Sequence, residues 1–124
     1  MALTLTKETG TGLATANIYA SAADGDDYHD GHLYATAWTA ATLANREKAL
    51  VMATRLIDGQ YQFNGVKATG TQALQWPREA CRDADSEDGW VESNVVPNAV
   101  RDATCELARE LLIADRTAAP PVRG

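Results

Sequence analysis

Apolar positions along this chain concentrate in two stretches with helical spacing. In the first, Leu43, Leu50, Ala53 and Ile57 recur near the 3.6-residue period, with Met52 and Leu56 widening the stripe. Arg46, Glu47, Lys48 and Arg55 fall mostly on the other side. Thr42 stands where an N-cap belongs and Gly59 where a C′ glycine belongs, so the pattern predicts a helix over Leu43–Asp58. In the second, Val100, Ala103, Leu107, Leu111 and Ala114 mark a stripe that Leu112 and Ile113 broaden. Pro97 suits its first position, which predicts a helix over Pro97–Asp115.

The remaining pattern is weaker. Ser21 caps a short, glycine-interrupted helix over Ala22–His32, whose apolar contribution is chiefly Tyr28, with Leu33 beyond it. Residues 1–20 lack the apolar density to fold alone and read as an extended lead-in that docks on something. Tyr61-Gln62-Phe63 reads as a brief strand before an Asn64-Gly65 turn, and Thr71 as the cap of one helical turn, Gln72–Gln75, stopped by Pro77. The acidic stretch 82–89 reads as an exposed loop and Trp90-Val91-Glu92 as a short extended piece. After Arg116, the prolines 120 and 121 exclude helix and leave an extended, polyproline-like tail.

Composition qualifies this picture. Of the 124 residues, 45% are hydrophobic, but 23 of these are alanine and only eight are aromatic. Alanine brings little transfer free energy, since a buried methylene is worth about 0.8 kcal/mol. The core is therefore expected to be thin and completed by partner subunits. The length fits one domain, no run suits a membrane span, and the first residues do not resemble a signal peptide. Cys81 and Cys105 form no disulfide framework, which points to free thiols in a reducing cytoplasm.

Net charge is −6, from 17 acidic and 11 basic residues, and no three basic residues stand together. That weighs against a protein gripping nucleic acid through phosphate neutralisation. His29 and His32 share a helix face with Asp26 and Asp30, but no other histidine exists to complete a metal site, so a solvated helix face is the better reading. Neither cysteine has a histidine in its own segment to activate it, and the glycine pairs lack a phosphate-loop signature. The expectation is no enzyme, no cofactor and no metal. Trp76-Pro77-Arg78 is the most distinctive tripeptide, read as a fold or interface anchor together with Trp38 and Trp90. Trp76 and Tyr61 would make a base-stacking platform only beside a basic groove, which the linear sequence does not display.

The order of landmarks carries a resemblance. Asn17-Ile-Tyr-Ala-Ser21, Ala23-Asp-Gly-Asp-Asp-Tyr-His29, Ala37-Trp38, the segment Lys48–Asp58, Gln72–Arg78, Val96-Pro97-Asn-Ala-Val100 and Cys105-Glu-Leu-Ala108 resemble a family of tailed-bacteriophage proteins labelled DnaT-like single-stranded-DNA-binding. They are equally similar to the head–tail connector adaptors of siphophages. The connector resemblance implies a dodecameric ring, about twelve copies, between a portal protein and a tail-side connector or tail terminator protein. Genomic DNA would then pass the lumen without specific binding. The acidic balance favours this connector over a single-strand binder. The expected organisation is an N-terminal arm over 1–20, a mainly α domain over 21–116 built as a small helical bundle with a minor β element, and a C-terminal tail over 117–124. Thr117, Ala118, Ala119, Pro120, Pro121, Val122, Arg123 and Gly124 are expected to dock on the portal, in a virion neck assembled in the bacterial cytoplasm.

Overall fold

The computed structural model describes residues 3–63, 65–81, 89 and 91–114. It is mainly helical: α1 spans Ala22–Asp30, α2 Thr36–Thr39, α3 Leu43–Gln60 and α4 Asn98–Ile113, with β1 at Val66–Lys67 and β2 at Arg78–Glu79. The long helices α3 and α4 pack most extensively on each other. Ile57 clusters with Val100, and Leu50 and Ala53 with Cys105 and Ala108, so the two run antiparallel. Small residues along this seam let the helix axes approach closely. Helices α1 and α2 lie across α4 at the end where α3 begins.

Caps set the helix starts as the residue types require. Ser21 and Asp24 form a reciprocal capping box on α1, and the Thr42 hydroxyl accepts from the Asn45 N–H on α3. Helix α1 ends at Asp30, and Leu33 beyond it is 90% exposed instead of contributing to the core. Helix α3 runs through Gly59 to Gln60, so Gly59 is not its C′ residue. Asp58 explains the extension: its carboxylate accepts from Tyr19 Oη (2.5 Å) and from the Gln75 N–H (3.1 Å), which pins the last turn. The buried arc of α3 is Ala49, Leu50, Val51, Ala53, Thr54 and Ile57, whereas Leu43 and Met52 face solvent. On α4, where Pro97 is the N-cap residue, Thr104, Cys105 and Ala108 are buried in place of Ala103 and Ala114.

Residues 3–20 carry no helix, and the surface they dock on is their own α3. Ile18, Tyr19 and Ala20 are fully buried, and the Thr54 hydroxyl accepts from the Tyr19 N–H while donating to the Leu50 carbonyl. A parallel bridge joins Lys7 to Ile18. The intervening loop is closed by Glu8, buried, whose carboxylate accepts from the N–H groups of Gly10, Gly12 and Leu13 at 2.7–3.0 Å. Gly10, with φ +117°, is required there, because a Cβ would run into the Asn94 carbonyl.

The middle of the chain departs most from its pattern. Residues 61–63 form no strand; the antiparallel pair joins Val66 to Glu79 and Lys67 to Arg78. No helical turn forms at 72–75. Instead Thr69 and Gln72 exchange side-chain-to-backbone bonds, and Gln72 Nε2 donates to the carbonyls of Leu74 and Pro77. A glutamine spanning two carbonyls holds a turn that no periodicity announces. No helix among the described residues is long and apolar enough to cross a membrane.

Candidate functional site

The Trp76-Pro77-Arg78 segment, joined by a cis peptide bond at Pro77, packs inward. Trp76 lies against Phe63 with ring centroids 5.4 Å apart, and its backbone N–H donates to Tyr19 Oη. Burial, then the neighbouring Asp58 carboxylate, pushes the Tyr19 phenol far above its ordinary range, so it stays a neutral bridge between α3 and the 75–76 turn. Arg78 is also buried. Its guanidinium donates to the carbonyls of Gln75, Phe63 and Gly65 and to the Gln75 side chain, and lies 5.9 Å from the Phe63 ring centre. Trp38 is buried beneath α1, with its indole N–H on Asp26. Trp90 and the tail 117–124 lie outside the described residues.

With Trp76 buried, the aromatic groups left at this surface are Tyr61, 61% exposed, and the half-buried Phe63. They form a ridge between two grooves. On one side is a polar groove of about 420 Å³ lined by Asp58, Gly59, Gln62, Gln75 and Arg78. On the other is an apolar groove of about 540 Å³ between α3 and α4.

The cations sort by partner. Lys7 pairs with Asp24 (2.6 Å), Arg46 with Asp26 (3.5 Å), and Arg109 with Glu106 and Glu110. Arg101 hydrogen-bonds Asn98, and Arg78 is absorbed by carbonyls. Lys48, Arg55 and Lys67 carry no ion pair among the described residues, and all three are exposed. Lys48, Met52, Arg55 and Gly59 follow at i, i+4, i+7 and i+11, one exposed face of α3 that leads into the polar groove. Lys67 stands close enough to Asp58 for its charge to act on that carboxyl. Among the described residues nothing lies within 4 Å of a Cβ placed on Gly59, so they leave the strip open to a close-lying ligand. The linear sequence hid this strip because its members are seven and nineteen positions apart. Its signal was the i, i+7 spacing; Lys48 has no acid one turn away, and the one beside Arg55, Asp58, is engaged by Tyr19 and Gln75.

The other candidates resolve into structure. His29 is buried, its Nε2–H donating to the Cys105 carbonyl, and burial lowers its pKa. His32 Nε2 contacts Glu106 (3.3 Å), Asp26 serves Trp38 and Arg46, and no group of metal-holding side chains meets among the described residues. Burial raises the Glu106 carboxyl, but hydrogen bonds from Arg109, Tyr28 and His32 outweigh it and hold the group at about 2. Burial, with Asp24 and Asp102 nearby, pushes the Cys105 thiol up to about 12, which leaves it inert as a nucleophile.

Comparison with known proteins adds one finding. The model of a family described as "Putative DnaT-like ssDNA binding protein" matches residues 3–123. The chain belongs to this family. No curated protein and no solved structure matches it. Membership in the DnaT-like family overturns the head–tail connector that the landmarks also resembled and that the charge balance favoured. With the connector go its portal and tail-side partners, its ring of copies and its passive passage of DNA. The physical error lay in weighing net charge: acids and cations pair off locally, and a phosphate responds to the cations left over. A DnaT-like chain with net charge −6 still presents three exposed cations without an ion pair among the described residues, Lys48 and Arg55 on one face of α3 and Lys67 near Asp58.

Proposed function

We propose that this protein binds single-stranded DNA, without catalysing a reaction, along the exposed face of α3 and over the Tyr61–Phe63 ridge. Lys48, Arg55 and Lys67 take the phosphates, Tyr61 stacks a base, and Gln62 and Gln75 offer amides to base edges. The observation that carries the reading is that three exposed cations without an ion pair among the described residues accompany an exposed aromatic residue, Tyr61, the two components that single-strand binders combine. The family description supports it. Asp58, the acid in the groove, has both oxygens occupied by Tyr19 and Gln75, and burial raises its pKa, so it opposes a phosphate less than a free carboxylate does.

The test is a fluorescence-anisotropy titration of labelled oligothymidine, begun at low salt. Three phosphate contacts give a log–log salt slope of about −2. Tyr61→Ala is expected to weaken binding roughly 5- to 100-fold, as loss of one stacked base does. The Lys48→Ala, Arg55→Ala, Lys67→Ala triple variant is expected to lose most of the salt dependence. Absence of binding at low salt, or a salt slope unchanged in the triple variant, overturns the assignment.

A further inference from the structure

The polar groove contains one amide whose orientation its neighbours decide. Gln75 is held at three points: its N–H donates to Asp58 (3.1 Å), its carbonyl accepts from Arg78 Nη1 (3.2 Å), and its side-chain Oε1 accepts from the same nitrogen (2.9 Å). A guanidinium has donors only, so the atom it meets is the amide oxygen, and Nε2 is the end left for the groove. Among the described residues no acceptor takes the N–H bonds of Nε2. The positive charge behind Oε1 polarises the amide and strengthens Nε2 as a donor. The other groove residues discriminate less between bases. Tyr61 offers a stacking face, which every base can use. Gln62 is exposed and can turn either end of its amide to a base, and each oxygen of Asp58 already accepts a hydrogen bond.

We propose that Gln75 selects bases with a keto oxygen at the edge farthest from the sugar, which are thymine, uracil and guanine, over cytosine and adenine, which carry an amino group there. The proposal rests on the single-strand reading above. The exposed Arg55 and Lys67 hold the sugar–phosphate chain at the rim, so a base enters edge first and its far edge reaches the half-buried Gln75. A keto oxygen there accepts from Nε2. An amino group sets donor against donor and leaves both without a partner in a partly desolvated groove.

Anisotropy titrations with labelled oligodeoxyuridine and oligodeoxycytidine of equal length test it, since the two bases differ only along that edge. The wild-type chain is expected to bind the uracil strand about fivefold or more tightly. Gln75→Glu keeps one oxygen on Arg78 and turns the other to the groove, so the order is expected to reverse in favour of cytosine. The ratio is the readout, because the added charge weakens both strands. Gln75→Met removes the amide at similar length and is expected to bring the ratio to about one; it serves alone if the glutamate variant loses its helical circular dichroism. Equal affinity of the wild-type chain for the two strands, or a wild-type ratio preserved in a folded variant, overturns the inference while binding itself stands. Absence of binding to either strand overturns the single-strand reading, and the inference with it.

Discussion

Trp38 sits among regular helices, whereas Trp76 sits among turns, and the two are held by different means. Around Trp38 the contacts are close packing: a Cβ on Gly25 would overlap its ring, His29 lies with ring centroids 5.0 Å away, and Arg46 covers it at 5.7 Å. Its indole N–H has a carboxylate partner in Asp26. The Trp76 indole N–H is buried without a partner among the described residues, and the ring is fixed through its backbone, which donates to the Tyr19 hydroxyl. The helical cluster thus rests on shape, and small residues such as Gly25, Ala49, Ala53 and Ala108 are what allow it. The turn cluster rests on a few polar atoms contributed from far along the chain: Tyr19, Asp58, Gln72 and Arg78. Where periodicity organises a region, packing suffices. Where it does not, buried side-chain hydrogen bonds replace it, and each carries a high penalty if broken.

The largest test of this contrast is Trp38→Ala, expected to cost about 3–5 kcal/mol in chemical denaturation through the cavity it leaves. A cost below about 1 kcal/mol would show that the helical cluster does not depend on shape around this ring. Next is Tyr19→Phe, which keeps the ring and removes one hydroxyl. It leaves the Asp58 carboxylate and the Trp76 N–H short of a partner and is expected to cost about 1–3 kcal/mol. A neutral result would mean that the turn cluster is held by packing after all. The smallest effect is in pH. Burial lowers the His29 pKa below its ordinary 6.5, so the unfolded chain takes the proton more readily and Tm is expected to fall as pH drops below that value. Glu106, held at about 2 against an ordinary 4.5, contributes stability above pH 4.5 that is lost as pH falls toward 2. His29→Gln is expected to leave Tm flat down to about pH 4.5. A Tm in the wild-type chain that is equal at neutral pH and near pH 5 would refute the first step.

The two long helices were legible because their evidence is local: an apolar repeat, a capping threonine and a proline at the start. Helix α2 was not, since Thr36–Thr39 is too short for periodicity and forms over the buried Trp38. Tyr61 was noticed as an aromatic residue, but its role depends on Trp76 being buried and Tyr61 not. The cation strip escaped reading because a lysine looks the same in sequence whether a carboxylate stands beside it or not. The sparse large apolar content suggested a core finished by other subunits. The structure instead spends residues 3–20 on that task, with Tyr19 and Ile18 completing the core of their own chain.

By itself the sequence determined the helical class, the positions of α3 and α4 and the caps on α1 and α3, because each follows from interactions spanning no more than about four residues. Only the tertiary structure decided which tryptophan is buried, where the N-terminal segment docks and which cations remain unpaired. Those outcomes depend on partners brought from far along the chain, 57 positions in the case of Tyr19 and Trp76, and no local pattern encodes them.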